Sequence, residues 1–200
     1  MNGHQHRDRA GATLGMWLFL FTELILFGGL FLLYAVYLAR YPHEFAAGGR
    51  ELNVVFGAIN TVVLLSSSLL AAMAVTAIQR GRQNTAVWLL FGTIDCALIF
   101  MGIKYVEWSA KFGHDLYPGS QRLVKGPPGE SVFFSLYYLT TGLHGLHVLI
   151  GGTLLGFVAV WVGQGKINSS NYSWLENGAL YWHLVDLIWI FIFPLYYLIL

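Results

Sequence analysis

Residues 140–152 read TTGLHGLHVLIGG and residues 175–186 read LENGALYWHLVD, and between them they set His144, His147, His183 and Asp186 in strongly apolar surroundings. An ionisable group at the centre of a bilayer costs about 2.5 to 3.5 kcal/mol on insertion scales, so it is rarely left without a partner or a task. The fold has to supply one or the other for each of these four residues.

Working outward, the rest of the chain is of the same character. Hydrophobic residues make up 56% of the 200 and charged residues 10%, against about 25% charged in an ordinary soluble domain. A spanning helix needs about 20 mainly apolar residues. Five stretches meet that length: 14–38, 52–78, 86–106, 132–162 and 175–200. Breaker chemistry separates them: Tyr41-Pro42 and Gly48-Gly49, then Gln79 to Arg82, then Pro118-Gly119 and Gly126 to Gly129, then Gly163 to Asn171. The sequence therefore predicts an all-α, polytopic membrane protein, a five-transmembrane-helix bundle forming a single membrane domain over residues 1–200. Its first apolar segment is longer than the 7 to 15 residues of a signal-peptide core, so it is expected to remain as an anchor. The formal net charge of +1, with no long basic run, points to no nucleic-acid partner and leaves membrane-embedded chains and lipids. Cys96 reads as a small buried hydrophobe.

Orientation by basic residues is balanced. Arg7, Arg9, Arg80, Arg82 and Lys166 fall on the N-terminal side, and Arg40, Arg50, Lys111, Arg122 and Lys125 on the other. The N-terminal side has the shorter, more purely basic loops, which favours a cytoplasmic N-terminus and a periplasmic C-terminus.

Polar residues inside the spans are the candidates for function. Glu23 sits about 15 Å into the first span and reads equally as a proton-linked carboxyl and as a neutral acid hydrogen-bonded to a neighbouring helix. Asn60, Thr61 and the run Ser66-Ser67-Ser68 suggest interhelical packing and hydrogen bonds. Asp95 lies at a depth similar to Glu23. Lys104 is expected to snorkel toward the interface as an anchor, with Glu107 three residues on able to pair with it on one helix face. His144 and His147 share a face at i, i+3, as do His183 and Asp186, a spacing that suits a metal or haem site. Against that stand Gly142, Gly145, Gly151, Gly152 and Gly156, whose Gly152-to-Gly156 spacing is a GxxxG packing pattern. The histidines and Asp186 are accordingly expected to lock the fourth span to the fifth, and Trp182, Trp189, Tyr196 and Tyr197 to form a lipid-facing belt.

These same stretches resemble subunit III of the haem-copper oxidases, the cytochrome c oxidase subunit III family. TGLHGLHVLIG at 141–151 and ENGALYWHLVDLIWIF at 176–191 are similar to its two strongest signatures. GMWLFLFTELILFGG at 15–29 resembles the family helix with an intramembrane glutamate, which falls on Glu23, and the Asn60-Thr61 helix has its counterpart too, with Ile59 where leucine is usual. The resemblance covers all five spans and is thinnest over 112–130. Many members have seven spans; this chain corresponds to the short form without the first two, so the lipid-filled cleft those helices enclose does not carry over whole.

The resemblance implies a non-catalytic subunit of a respiratory terminal oxidase in a bacterial cytoplasmic membrane. Such a subunit packs on subunit I, with subunit II and other subunits nearby, and supports complex integrity and proton uptake while its partners reduce oxygen to water and pump protons. It implies no metal or cofactor on this chain, haem and copper in the partners, and a bound phospholipid. Glu23 becomes the intramembrane acid near the core subunit, and Asn60, Thr61, Glu107, His144, His147, Gly152, Gly156, Glu176, His183 and Asp186 become packing or hydrogen-bonding residues. Cytochrome c is expected as electron donor, with subunit III of a quinol oxidase or the related protein of a nitric oxide reductase as alternatives. A free-standing proton-coupled transporter using Glu23, Asp95 and Asp186 as a relay, and a haem protein using the three histidines, are the rivals from other classes.

Overall fold

The computed structural model describes residues 2–198, with side chains from Gly11 onward. Seven helices are found there: α1 (Asn2–Arg40), α2 (Pro42–Arg50), α3 (Val54–Gln79), α4 (Gln83–Gly113), α5 (Gln121–Lys125), α6 (Pro128–Gly163) and α7 (Ser173–Tyr197). Among the described residues there is no strand, only an isolated bridge between Asn168 and Asn171. Five of the helices, α1, α3, α4, α6 and α7, are long and apolar enough to cross a membrane. The fold is an all-α polytopic bundle. Arg7 and Arg9, and residues 199–200 at the end of the expected fifth span, lie outside the residues whose side chains are described.

Helix limits follow local chemistry. The Asn53 side chain accepts from the backbone N–H groups of Val55 and Phe56 and so starts α3. Pro42 and Pro128 stand in the first turns of α2 and α6, where the missing N–H costs nothing. Just past its C-cap Arg80, α3 is closed off by Gly81, whose φ of +72° lets the N–H of Arg82 return to the Ala77 carbonyl at 2.9 Å. α4 runs to Gly113, beyond the expected end at 106, because Glu107 and Lys111 continue the buried face begun by Lys104. Gly48 and Gly49, expected as a break, lie inside α2 instead: the Phe133 ring packs where a Gly48 side chain would be.

α3, α4, α6 and α7 form a closed ring in which each packs on two neighbours, α3 on α4, α4 on α6, α6 on α7 and α7 back on α3. α1 lies outside the ring, against α6 and α7, and the short α2 and α5 cover one end through contacts with α6. The ring explains why α7 carries so many aromatic residues. Trp182, Trp189, Tyr196 and Tyr197 are all buried, which corrects the expected lipid-facing belt. Each hands its N–H or O–H to a partner: Trp182 to Ser67, Trp189 to Thr61, Tyr197 to Glu107, while the hydroxyls of Tyr196 and Thr140 share a bond. A buried ring with a satisfied polar tip suits the middle of a bundle as well as an interface.

The close approach between α6 and α7 also falls elsewhere than expected. A β-carbon on Gly151 would stand 2.9 Å from the Trp182 ring and 3.0 Å from that of Tyr181. At Gly152 and Gly156 the nearest atoms are Ala97 Cβ at 3.8 Å and Ile94 Cδ1 at 4.0 Å, both on α4 and both at ordinary contact distance. The GxxxG pair thus faces α4 across a groove of about 210 Å³ that Gly152 helps line, and its neighbour Gly151 makes the seam with α7. Gly151→Leu is expected to destabilise the bundle by about 1 to 3 kcal/mol through overpacking, read as a lower unfolding temperature in detergent. Gly152→Ala and Gly156→Ala should leave that temperature unchanged or raise it, since alanine favours the helix over glycine and meets only ordinary contacts there.

Candidate functional site

Among the described residues three polar clusters lie within the bundle, and each joins different helices. The first links α1 to α6. His147 Nε2 is 2.8 Å from Glu23 Oε2, and His147 Nδ1 is 2.8 Å from the Leu143 carbonyl one turn back. A carbonyl only accepts, so Nδ1 carries a hydrogen and donates it. Nε2 then shares one proton with Glu23, either as a carboxylic acid donating to a neutral ring or as an imidazolium beside a carboxylate. Both forms are neutral overall, which is how a pair of titratable groups can stay at this depth. The Phe27 ring meets the imidazole edge-on, with centroids 5.3 Å apart, and the Tyr181 hydroxyl donates to the His147 carbonyl at 3.3 Å. The pair borders an apolar cavity of about 600 Å³ between α1 and the α6–α7 hairpin, whose walls include Phe19, Leu154, Phe157, Trp161 and Trp174.

The second cluster links α3 to α7. His183 Nδ1 and Ser68 Oγ are 2.6 Å apart, and Trp182 Nε1 donates to Ser67 Oγ at 2.9 Å. Asp186 is buried beside these two serines, although neither carboxyl oxygen reaches hydrogen-bond geometry with them. Asn60, on the same helix as the serines, is fully buried with its amide unpaired, while Thr61 accepts from Trp189 at 3.1 Å.

The third is the most densely connected and joins α4, α6 and α7. Glu107 receives Lys104 at 2.9 Å, Tyr197 at 2.8 Å, Tyr137 at 3.1 Å and, more loosely, Lys111 at 3.6 Å. Lys104 also lies 4.8 Å from the centre of the Trp189 ring. Lys104, Glu107 and Lys111 are all buried, so Lys104 does not snorkel. The spacing i, i+3, i+7 aims all three side chains along the inward face of α4, where the carboxylate and the tyrosine hydroxyls replace water.

The expected lock between the fourth and fifth spans is therefore redistributed. His147 reaches back to α1, His183 turns to α3, and His144 sits wholly buried between the Phe100 and Trp189 rings with neither nitrogen bonded. His183 and Asp186 do not meet the fourth-span histidines in a ligand cluster: among the described residues no three His, Cys, Asp or Glu side chains converge as metal donors. Glu176, in the first turn of α7, is exposed. Asp95 faces outward from α4, so Glu23, Asp95 and Asp186 belong to three separate environments. Sequence reasoning missed Lys111, Tyr137 and Tyr197 as members of the Glu107 cluster. For Lys111 the helical spacing from Lys104 and Glu107 was a usable signal, while the tyrosines come from helices whose register only the fold sets.

Glu107→Leu removes the carboxylate shared by two buried ammonium groups and should cost about 3 to 5 kcal/mol of stability. Adding Lys104→Met should recover part of that loss. Unfolding of the purified variants in detergent gives the coupling, and equal, additive losses would show that Glu107 and Lys104 act independently.

The profile of the family described as Cytochrome c oxidase subunit III matches residues 1–199. The chain is 31% identical over 201 residues to Cytochrome c oxidase subunit 3 of Thermostichus vulcanus, an alignment spanning 99% of this chain and 91% of that one. It is 30% identical over 192 residues to a Probable quinol oxidase subunit 3 of Staphylococcus epidermidis, spanning 93% of this chain and 88% of the other. A Heme-copper oxidase subunit I+III of Aeropyrum pernix is 28% identical over 193 residues, covering 92% of this chain and 22% of that longer protein. With five apolar helices matched almost end to end, this chain belongs to the cytochrome c oxidase subunit III family and is a subunit III of the haem-copper oxidases.

Proposed function

We propose that this chain is the non-catalytic subunit III of a terminal oxidase in which partner subunits hold haem and copper, reduce oxygen to water and pump protons. The family match over residues 1–199 carries this reading. A structural part in the complex is in keeping with the polar clusters, which tie helices together: His147 joins Glu23 and His183 joins Ser68.

Subunit I is the main contact, with subunit II and further subunits in the same complex. Support comes from the relative in Aeropyrum pernix, whose name joins subunits I and III in one polypeptide. Cytochrome c is the electron donor in this reading; the quinol oxidase relative in Staphylococcus epidermidis favours quinol as the alternative. The complex sits in a bacterial cytoplasmic membrane with the N-terminus inside. On the opposite side Lys111 is buried against Glu107 and Arg122 lies 3.5 Å from Glu51. The loops with Arg80, Arg82 and Lys166 remain the more freely basic, as a cytoplasmic face would be. The apolar cavity beside Glu23 suits a phospholipid acyl chain.

Glu23 is the residue in which support of proton uptake is best sought, because it shares a proton with His147 at membrane depth on the most exposed long helix. Glu23→Gln keeps a donor toward Nε2 and removes the titratable site. The variant complex should assemble at normal yield and lose oxygen-consumption activity faster over successive turnovers. Unchanged durability would make Glu23 purely structural. The broader reading is tested by isolating the chain with its partners from native membranes. Haem absorption and a haem-copper subunit I are expected in the complex, and the chain separated from it should be colourless. Stoichiometric haem or metal on the isolated chain would overturn the reading.

A further inference from the structure

Away from helix ends, the spans hold four acids: Glu23, Asp95, Glu107 and Asp186. Glu23 is paired with His147, Glu107 is held by two lysines and two tyrosines, and Asp186 is enclosed beside Ser67 and Ser68. Asp95 alone among them is exposed, and it has no hydrogen-bond or ion-pair partner among the described residues.

Its position makes that exposure costly. Asp95 lies near the midpoint of the apolar run 86–106, about 18 Å from the start of α4 at 1.5 Å per residue. Its side chain is too short to reach either interface from there. The surface around it is apolar: Phe91, Leu98 and Ile99, one turn away on either side, are 47%, 61% and 51% exposed. Gly102, two turns on along the same face, has nothing within 4 Å of where a β-carbon would be. In hydrocarbon the charged form carries the full insertion cost, and even the neutral acid leaves a hydroxyl and a carbonyl unbonded. No neighbouring helix of this chain offers it a partner: α3 meets α4 at Gly92, where Leu70 lies, and α6 meets it at Ile94 and Ala97.

The geometry points to this face of α4 as a docking surface for a transmembrane helix of another subunit, one that presents a hydrogen-bond donor such as an arginine, lysine, histidine or amide side chain at mid-membrane depth to Asp95. The donor is required by the acid, and the bare backbone at Gly102 lets the partner approach closely. The inference rests on the reading of this chain as a subunit of a larger membrane complex. It adds which face is covered and what chemistry covers it.

The test uses the assembled complex. Asp95→Leu removes an acid with no hydrogen-bond or ion-pair partner among the described residues of its own chain, so the unfolding temperature of the purified chain in detergent should be unchanged or higher. Retention of the chain on its complex through detergent purification should fall about tenfold or more, as expected for a lost hydrogen bond to a charged group. Asp95→Asn, which still offers a carbonyl acceptor, should keep most of it. A photo-crosslinking residue placed at Ile99 should capture a second polypeptide in native membranes. Undiminished retention of Asp95→Leu with only lipid captured at Ile99 would overturn the proposal, since that is the behaviour of a lipid-facing acid; so would a lower unfolding temperature of the isolated chain, which would place the carboxylate's role inside the fold. Capture of a protein at Ile99 from a complex lacking any haem-copper subunit would uphold the contact face and overturn the oxidase reading instead.

Discussion

One carboxylate holds the bundle at its most crowded point. Glu107 projects from α4 into the space where α6 and α7 meet it, and the donors around it come from all three helices. A buried acid with a single cation would be a marginal arrangement, because desolvating two charges consumes most of what their attraction returns. Tyrosine hydroxyls fill the remaining lone pairs, and the rings of Trp189, Tyr137 and Tyr197 present their faces to Lys104. The cluster thereby fixes the register of α4, α6 and α7, since moving any of them by one turn would strand a charge in an apolar interior.

The other polar groups follow the same logic with fewer partners. Water is missing from the hydrocarbon region, so an indole or hydroxyl that turns inward must find its complement on a neighbouring helix. α7 does this repeatedly, passing its donors to α3 through Trp182 and Trp189 and to α4 through Tyr197. What looks in sequence like a run of interfacial aromatics is the inner lining of a ring of helices. The small residues on α3 serve it by leaving room: a side chain on Gly57 would collide with Phe193.

The five spans and the all-helical class were legible in the chain because length and hydropathy alone decide them. So was the pairing of Lys104 with Glu107, which depends only on positions along one helix. Partners between helices were not legible. His144, His147, His183 and Asp186 carry the same sequence signal, yet they end in three different settings, with only His183 and Asp186 sharing one beside Ser67 and Ser68, because the face each presents depends on how α6 and α7 are rotated in the ring. Gly151 and Gly152 are adjacent and identical in kind, and only the rings of Trp182 and Tyr181 distinguish the one that cannot be enlarged. Family resemblance narrowed the function to an oxidase subunit, but it could not say which helix His147 would reach.

The bond between Glu23 and His147 joins residues 124 positions apart, one on α1 and the other on α6. At a synthesis rate of about 5 to 20 residues per second, roughly 6 to 25 s separate the emergence of the acid from that of its partner. For that interval α1 is without the imidazole that pairs with its carboxyl and without the α6 and α7 surface on which it finally rests. Its seat exists only once α6 and α7 have followed it, so α1 is inserted well before it can be placed.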